Sequence, residues 1–177
     1  ASGHIQGRFL ALISCLMQPK RILEIGTYTG YSALCLAEGL HADGLLTSIE
    51  INDELEDFIR DHIRKAGMKD KINLLIGDAK TVLPDLEAQY DLVFIDGDKR
   101  DYPEYFKLCK SKIRPGGLLI ADNVLWDGKV TETADSGDEM TKGIQEFNML
   151  ITDDPDFENF ILPVRDGLMM ATYRPKS

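Results

Sequence analysis

The sequence predicts an α/β fold: a doubly wound, mostly parallel sheet of seven strands with helices on both faces and a C-terminal antiparallel hairpin. Strand patterns and helix patterns alternate along the chain, which is typical of a parallel sheet. Residues 92–96 are almost wholly apolar, as in a strand that is covered on both faces. Asp166-Gly167 lies between two apolar segments near the end of the chain, which indicates a hairpin.

The spacing of apolar residues defines the individual elements. The predicted strands are 21–25, 45–50, 72–76, 92–96, 118–121, 160–164 and 168–173, and the predicted helices are 31–40, 53–66, 81–87, 102–112 and 141–152. Asn52 or Asp53 can cap the second helix, and Gly67 suits its end because glycine adopts the left-handed conformation without a Cβ penalty. Pro115-Gly116-Gly117 indicates a turn. Ligands of such sheets bind beyond the carboxyl ends of the strands, so we expect the chemistry there.

Length and composition restrict the classes of function. A chain of 177 residues, 44% hydrophobic and 28% charged, fits one domain with a packed core. The net charge of −10 disfavours nucleic acid as a partner. No apolar segment approaches the ~18–20 residues of a membrane helix, and residues 1–10 lack the pattern of a secretory signal. Cys15, Cys35 and Cys109 show no pairing motif and are interpreted as reduced core thiols, which favours a cytoplasmic location.

A glycine-containing turn after the first strand favours a nucleoside cofactor. Gly26 and Gly30 allow a tight turn and a close approach of the backbone to a ligand. Their spacing is not the dinucleotide pattern G-x-G-x-x-G, which disfavours a pyrophosphate. Glu50 lies 20 residues after Gly30 and can bind both ribose hydroxyls, and Asp78 would lie beside the adenine. This combination suits S-adenosylmethionine. The structural alternatives are an ordinary turn, a charge at a helix N-terminus and a helix cap.

Acidic residues after the fourth and fifth strands favour a metal site. Asp96 ends the fourth strand, and Asp122-Asn123 ends the fifth. If the two strands are neighbours, their ends lie about 5 Å apart. Two carboxylates and an amide oxygen suit Mg²⁺ and are poor ligands for zinc. Lys99 lies three residues after Asp96, where a partly desolvated lysine can act as a base. The structural alternative is a set of ordinary turn, cap and surface residues.

The motifs taken together resemble one known family. The segments EIGTYTGYSALCLA, TSIEIN, GDA, VFIDGDKRDY, GGLLIADNVLWDGKV and LPVRDG follow in this order from about residue 7 to residue 173. In this combination the chain resembles the cation-dependent O-methyltransferases, which include caffeoyl-CoA and catechol O-methyltransferases and have a Rossmann-like fold. The resemblance implies transfer of a methyl group from S-adenosylmethionine to a hydroxyl of a catechol-like (vicinal dihydroxy aromatic) small molecule, with the help of a divalent cation.

The resemblance also implies roles for individual residues. It implies cofactor contacts for Glu24, Gly26, Tyr28, Ser32, Glu50, Asp78, Ala79 and Asp98, cation ligands at Asp96, Asp122 and Asn123, a catalytic base at Lys99, and an aromatic residue beside the acceptor at Trp126. The expected cation is Mg²⁺, with Ca²⁺ or Mn²⁺ as alternatives, and the expected assembly is a homodimer. Residues 1–177 are expected to form one methyltransferase domain without the N-terminal helical segment that is usual in the family. Trp126-Asp127-Gly128 and Arg100-Asp101 depart from the plant pattern, which bears on the identity of the acceptor.

Three other functions fit parts of the sequence. Asp96-x-Asp98 resembles the acid pair of haloacid dehalogenase-type phosphotransferases. That pair usually lies on the first core strand and is followed by Thr or Val, whereas here it lies at the end of the fourth strand and is followed by Lys99. A non-catalytic cofactor-binding module would not need the candidate cation ligands and Lys99 together. A nicotinamide dehydrogenase is disfavoured by the spacing of the glycines.

Overall fold

A computed structural model describes residues 3–176 of the chain. The helices are α1 (His4–Met17), α2 (Tyr31–Ala37), α3 (Glu56–Lys65), α4 (Ala79–Val82), α5 (Tyr102–Lys110) and α6 (Glu139–Asp153). The strands are β1 (Arg21–Ile25), β2 (Leu45–Glu50), β3 (Ile72–Ile76), β4 (Tyr90–Ile95), β5 (Ile113–Asp122), β6 (Phe157–Leu162) and β7 (Leu168–Tyr173). Short 3-10 helices occupy Asp53–Leu55, Leu83–Asp85, Lys99–Asp101 and Trp126–Thr131.

The strands form a single sheet in the order β3-β2-β1-β4-β5-β7-β6. Strands β1 to β5 are parallel, and β7 pairs antiparallel with both β5 and the edge strand β6. The predicted doubly wound sheet and its closing hairpin are therefore confirmed. Because β1 lies between β2 and β4, the order of the strands reverses there, and the carboxyl ends of β1 and β4 border the crevice in which such folds bind ligands.

Two hydrophobic layers cover the sheet, one on each face. Helices α1, α2 and α3 pack on one face, where Leu10 and Ile59 are fully buried. Helices α4, α5 and α6 pack on the other face, where Phe106 is buried. Successive residues of β1 supply the two layers alternately, since Ile22 belongs to the first and Leu23 to the second. This alternation confirms the prediction of helices on both faces.

Helix α1 was missing from the predicted elements. Its buried face contains the polar residues Gln6 and Ser14, whereas Ile5, Leu12 and Leu16 are 73%, 57% and 74% exposed. Apolar residues on the outside and polar residues on the inside hide the 3.6-residue pattern by which a surface helix is normally detected.

Several predicted boundaries are wrong. Strand β5 begins at Ile113 and continues through Pro115-Gly116-Gly117, which the sequence indicates as a turn. The pairing of β5 with β4 shifts register between Tyr90 and Leu92, so these residues form an irregularity within the strand. Strand β6 starts three residues earlier than predicted and ends at Leu162. The helix predicted at 81–87 is divided into α4 and a 3-10 helix that contains Pro84, and α2 ends at residue 37.

The cysteines are all free thiols, as predicted. Cys35 and Cys109 are buried, but Cys15 lies on the outer face of α1 and is exposed, so its assignment to the core is wrong. Within residues 3–176, no helix is long and apolar enough to cross a membrane.

Candidate functional site

A pocket of about 450 Å³ opens at the switch point of the sheet, beyond the carboxyl ends of β1 to β4. Six of the eight predicted cofactor-binding residues line this pocket: Gly26, Tyr28, Glu50, Asp78, Ala79 and Asp98. A seventh, Ser32, lines an adjoining cavity of about 170 Å³ that shares Gly26, Tyr28 and Asp96 with the first. The structure thus brings together residues that are separated by more than 70 positions in the sequence.

The turn after β1 packs closely against the backbone at the end of β4, as its glycines suggested. Gly26 has a φ of +92°, and a Cβ at this position would lie 2.3 Å from the carbonyl oxygen of Asp96. No side chain fits there, because a non-bonded carbon and oxygen need more than 3 Å. Gly30 has a φ of +83° and forms the N-cap of α2. Glycine at position 26 therefore lets the turn after β1 lie directly on the end of β4.

Glu50 is held by the backbone at the end of β2. One carboxylate oxygen accepts a hydrogen bond from the backbone N–H of Tyr28 at 2.7 Å, and the other accepts one from the N–H of Asn52 at 2.9 Å. Each carboxylate oxygen can accept a second hydrogen bond. Since Glu50 lines the pocket, its remaining acceptor capacity is available to a pair of hydroxyls.

Glu24 is fully buried behind this turn and is absent from the pocket wall. Its carboxyl accepts hydrogen bonds from the hydroxyls of Ser32, at 2.5 Å, and Ser48. Burial raises the pKa of Glu24 to about 7, and the two serine hydrogen bonds oppose that rise. In this structure Glu24 supports the turn from below, and its contact with a cofactor stays a prediction.

The far side of the pocket contains three charged residues that were not among the predicted cofactor contacts: Lys80, Arg100 and Asp101. Asp78 caps α4 by accepting from the backbone N–H of Lys80, and the Lys80 ammonium lies 2.9 Å from Asp101. Hydrogen bonds from Arg100 lower the pKa of Asp98. All of these residues line the pocket. Each of the three lies within three positions of Asp78 or Asp98 in the sequence, and Arg100-Asp101 had one further signal, its departure from the plant pattern.

The candidate cation ligands lie at the ends of neighbouring strands, as predicted. Ile95 pairs with Ala121, so Asp96 and Asp122 leave the sheet side by side. Asp122 is only 4% exposed, and its Oδ1 accepts a hydrogen bond of 2.7 Å from the N–H of Asn123. Asn123 has a φ of +61°, a conformation that asparagine tolerates better than most residues.

Burial and charge at this point favour a cation. Desolvation raises the pKa of Asp96, the ion pair with Lys99 opposes that rise, and the nearby charge of Asp122 adds to it. The donors are two carboxylates and one amide, which suit a hard cation that keeps water or substrate oxygens as further ligands. In the described part of the chain, 3–176, no group of three or more His, Cys, Asp or Glu could hold a metal ion. The candidate set thus depends on the Asn123 amide.

Lys99 is nearly buried, with 8% of its surface exposed. Its Nζ lies 2.8 Å from Asp96 Oδ1 and donates a 2.7 Å hydrogen bond to the hydroxyl of Tyr102. The Tyr102 hydroxyl in turn donates to the carbonyl oxygen of Asp122 at 2.9 Å. Tyr102 therefore joins the ends of β4 and β5, a role that the sequence analysis missed.

Trp126 lies on the loop that follows β5. It begins the 3-10 helix Trp126–Thr131, has a φ of +47°, and packs half-buried against the core beside α6. It is absent from the wall of the 450 Å³ pocket. Its contact with an acceptor stays a prediction.

Two side chains from distant parts of the chain contact the candidate ligands and were also missed. Gln6 Nε2 in α1 donates a 2.6 Å hydrogen bond to Asp122 Oδ2. Asp166, in the loop between β6 and β7, accepts a 3.1 Å hydrogen bond from Asn123 Nδ2. Neither contact has a local sequence signal, because the partners lie 116 and 43 residues apart.

Comparison with known proteins points to the O-methyltransferases, the same family that the sequence motifs resemble. A family model described as O-methyltransferase matches residues 2–174. A catechol O-methyltransferase of Niastella koreensis is 37% identical over 150 residues, which cover 82% of this chain and 67% of that protein. A caffeoyl-CoA O-methyltransferase of Populus kitakamiensis is 33% identical over 178 residues, which cover 94% of this chain and 75% of that protein.

Solved structures agree with the fold. An O-methyltransferase from Bacillus cereus in complex with SAH superposes with a TM-score of 0.93 at 32% identity, covering 98% of this chain and 83% of that one. An O-methyltransferase from Streptomyces achromogenes that is involved in tomaymycin synthesis, in complex with SAM, has a TM-score of 0.93 at 33% identity. That match covers 99% of this chain and 82% of the other.

Proposed function

The chain belongs to the O-methyltransferase family, and from that premise we propose that it transfers a methyl group from S-adenosylmethionine to a hydroxyl of a vicinal dihydroxy aromatic molecule, using a divalent cation. One observation carries this proposal. Asp96 is both a candidate cation ligand and part of the wall of the candidate cofactor pocket. A cation bound at Asp96 would therefore adjoin the cofactor, as a transfer between two bound molecules requires.

The cofactor half of the proposal is supported by the pocket. Gly26 brings the backbone against the end of β4, and Glu50 presents carboxylate oxygens to the pocket, where they can bind ribose hydroxyls. The pocket has no glycine-rich phosphate turn of the dinucleotide type, which suits a nucleoside without phosphates. Two similar enzymes with TM-scores of 0.93 were solved with SAH or SAM bound.

The cation half is supported by the donor set. Asp96, Asp122 and the amide oxygen of Asn123 fit Mg²⁺, and Ca²⁺ or Mn²⁺ would use the same oxygens. A divalent cation held there would lower the pKa of a phenol hydroxyl, which is ordinarily about 10, as it does for bound water. Lys99 has its Nζ beside Asp96 and, in its neutral form, after that ammonium has released a proton to solvent, would receive the phenol proton at that atom. Tyr102 keeps the lysine directed towards Asp96.

The proposed acceptor class is supported by the names of the relatives. Similar enzymes are named for catechol and for caffeoyl-CoA, and the latter also carries a vicinal diol. Trp126 would pack beside the aromatic ring of the acceptor. Family membership removes the support for a phosphotransferase or a dehydrogenase. The proposal also includes a homodimer, which the family resemblance implies, and a cytoplasmic location, which is in keeping with three free thiols.

Labelled S-adenosylmethionine and caffeic acid provide the test. We expect methyl transfer to caffeic acid with Mg²⁺, loss of transfer with EDTA, and recovery when excess Mg²⁺ is restored. Transfer that continues undiminished in EDTA would contradict the cation dependence. Tight binding of SAH without transfer to any of a panel of catechols would instead support a non-catalytic module.

A further inference from the structure

We propose that Gln6 and Asp166 are positioning residues for the candidate cation ligands, so that cation affinity depends on helix α1 and on the loop between β6 and β7. The inference rests on the proposed function, because it takes Asp122 and Asn123 as ligands. Both residues reach the end of β5 from outside it, one from the N-terminal helix and one from the C-terminal hairpin.

Asp166 determines which atom of the Asn123 amide is available to a cation. An ionised carboxylate only accepts hydrogen bonds, so the amide must direct its NH₂ group towards Asp166 Oδ2, 3.1 Å away. The amide oxygen of Asn123 then points away from Asp166, in the orientation in which it could act as a ligand. If the amide turned over, its NH₂ group would replace the oxygen and repel a cation.

Asp166 also holds the loop that carries this ligand. Its Oδ1 accepts a 2.6 Å hydrogen bond from the N–H of Asp127, and its backbone oxygen accepts one of 3.0 Å from Leu125. The loop contains three non-glycine residues with positive φ: Asn123, Trp126 and Asp127. Such conformations cost free energy and persist only where the surroundings hold them. Asp166 provides part of that support.

Gln6 fixes the other ligand. Its Nε2 donates to Asp122 Oδ2 at 2.6 Å, while Asp122 Oδ1 accepts from the N–H of Asn123 at 2.7 Å. One donor on each oxygen sets the plane of the carboxylate and leaves further lone pairs for a cation. Gln6 is fully buried, and the carboxylate is therefore oriented in a site that is shielded from water.

Helix α1 is itself fixed in place, so Gln6 is a rigid support. Gly7 packs so tightly on Tyr31 of α2 that a Cβ would lie 2.5 Å from the tyrosine ring. The candidate ligands at the end of β5 are thus preorganised by helix α1 and by the loop between β6 and β7. Outer contacts of this kind typically change metal affinity about 10- to 100-fold.

The test is a titration of the full chain with Mn²⁺. Electron paramagnetic resonance monitors the binding, and no methyl acceptor is present. The variants are Asp166→Asn and Gln6→Met, which keep shape but remove an acceptor and a donor. The matched controls are Asp91→Asn and Ser14→Ala. Asp91, like Asp166, is a carboxylate that accepts from backbone N–H groups, here those of residues 20 and 21 at 2.7 and 2.8 Å, but it lies near the N-terminal end of β4, at the opposite end of that strand from the site. Ser14 loses a buried hydrogen bond in the same helix as Gln6.

We expect Mn²⁺ to bind about 10- to 100-fold more weakly to Asp166→Asn and Gln6→Met, with unchanged SAH affinity and wild-type affinity in both controls. Wild-type Mn²⁺ affinity in Asp166→Asn would overturn the inference and leave the proposed function intact. If the wild type binds no Mn²⁺, the cation part of the proposed function fails together with it. Should Gln6→Met fail to fold, the Mn²⁺ affinity of Asp166→Asn decides the inference. Asp166 lies in a half-buried loop, so we expect this variant to fold.

Discussion

The two halves of the candidate site are built in different ways. The cofactor half, at the ends of β1, β2 and β3, is shaped largely by backbone: Gly26 lies against the end of β4, and Glu50 accepts from two main-chain N–H groups. The cation half, at the ends of β4 and β5, is held by side chains from distant parts of the chain, Gln6 and Asp166. A site can therefore combine a locally encoded binding turn with ligands whose geometry depends on the whole fold.

Because the two halves are built separately, we expect a substitution to lower the rate of methyl transfer without weakening the binding of Mn²⁺ or SAH. Lys99→Met should lower turnover about 10²- to 10⁴-fold, the range for loss of a general base. Because the change removes a positive charge 2.8 Å from Asp96, Mn²⁺ affinity should be retained or increased, and SAH affinity should be unchanged. Single-turnover methyl transfer together with Mn²⁺ titration measures both. Normal turnover at neutral pH would exclude Lys99 as the base.

The buried carboxyl of the cofactor half predicts a dependence of stability on pH. Burial raises the pKa of Glu24 from an ordinary 4.5 to about 7. The folded chain holds a proton that the unfolded chain releases above its lower pKa, so this contribution to stability is complete below pH 4.5 and is lost as the pH rises through 7.

Glu24→Gln mimics the protonated carboxyl and should remove this dependence. Relative to the wild type, the variant should gain stability between pH 5 and pH 8, by up to ~3 kcal/mol. Urea unfolding of both proteins across that range measures the difference. A difference that does not change with pH would mean that Glu24 is ionised at all these values.

The smallest expected effect concerns Glu50. Glu50→Gln leaves one acceptor oxygen where two N–H groups and a ribose require more, so SAH affinity should fall about 10- to 100-fold. Mn²⁺ affinity should not change, because the cation half lies beyond β4. Calorimetry with SAH measures the effect, and Glu54→Gln is the control, since Glu54 is exposed nearby. Equal losses in both variants would point to net charge and not to a ribose contact.

The parts of the molecule that the sequence predicted are those with local signals. The glycine turn, the alternation of strands and helices and the carboxylates at strand ends each occupy a few consecutive residues, and family motifs cover most of them. Helix α1 escaped prediction because its polar residue Gln6 points inwards and its apolar residue Leu16 points outwards. The turn signal at Pro115-Gly116-Gly117 was misleading because pairing with β4 resumes beyond it within the same strand.

The supports of the cation half could not be predicted for a further reason. Tyr102, Gln6 and Asp166 acquire their roles only through partners that the fold brings close. Tyr102 links Lys99 to the carbonyl of Asp122, 20 residues further along the chain. Such contacts leave no mark on local composition or periodicity. They depend on the order of the strands and on where helix α1 and the loop between β6 and β7 pack.

The central claim is that cofactor and cation occupy adjoining but separable halves of one site, and Asp96→Asn tests it most directly. Mn²⁺ affinity and Mg²⁺-dependent methyl transfer to caffeic acid would be measured beside SAH affinity in the same preparations. We expect Mn²⁺ affinity and the rate of methyl transfer to fall by at least about 100-fold, which is more than we expect for the variants at Gln6 and Asp166. SAH affinity should be largely retained. Full methyl transfer by this variant in EDTA would contradict the account.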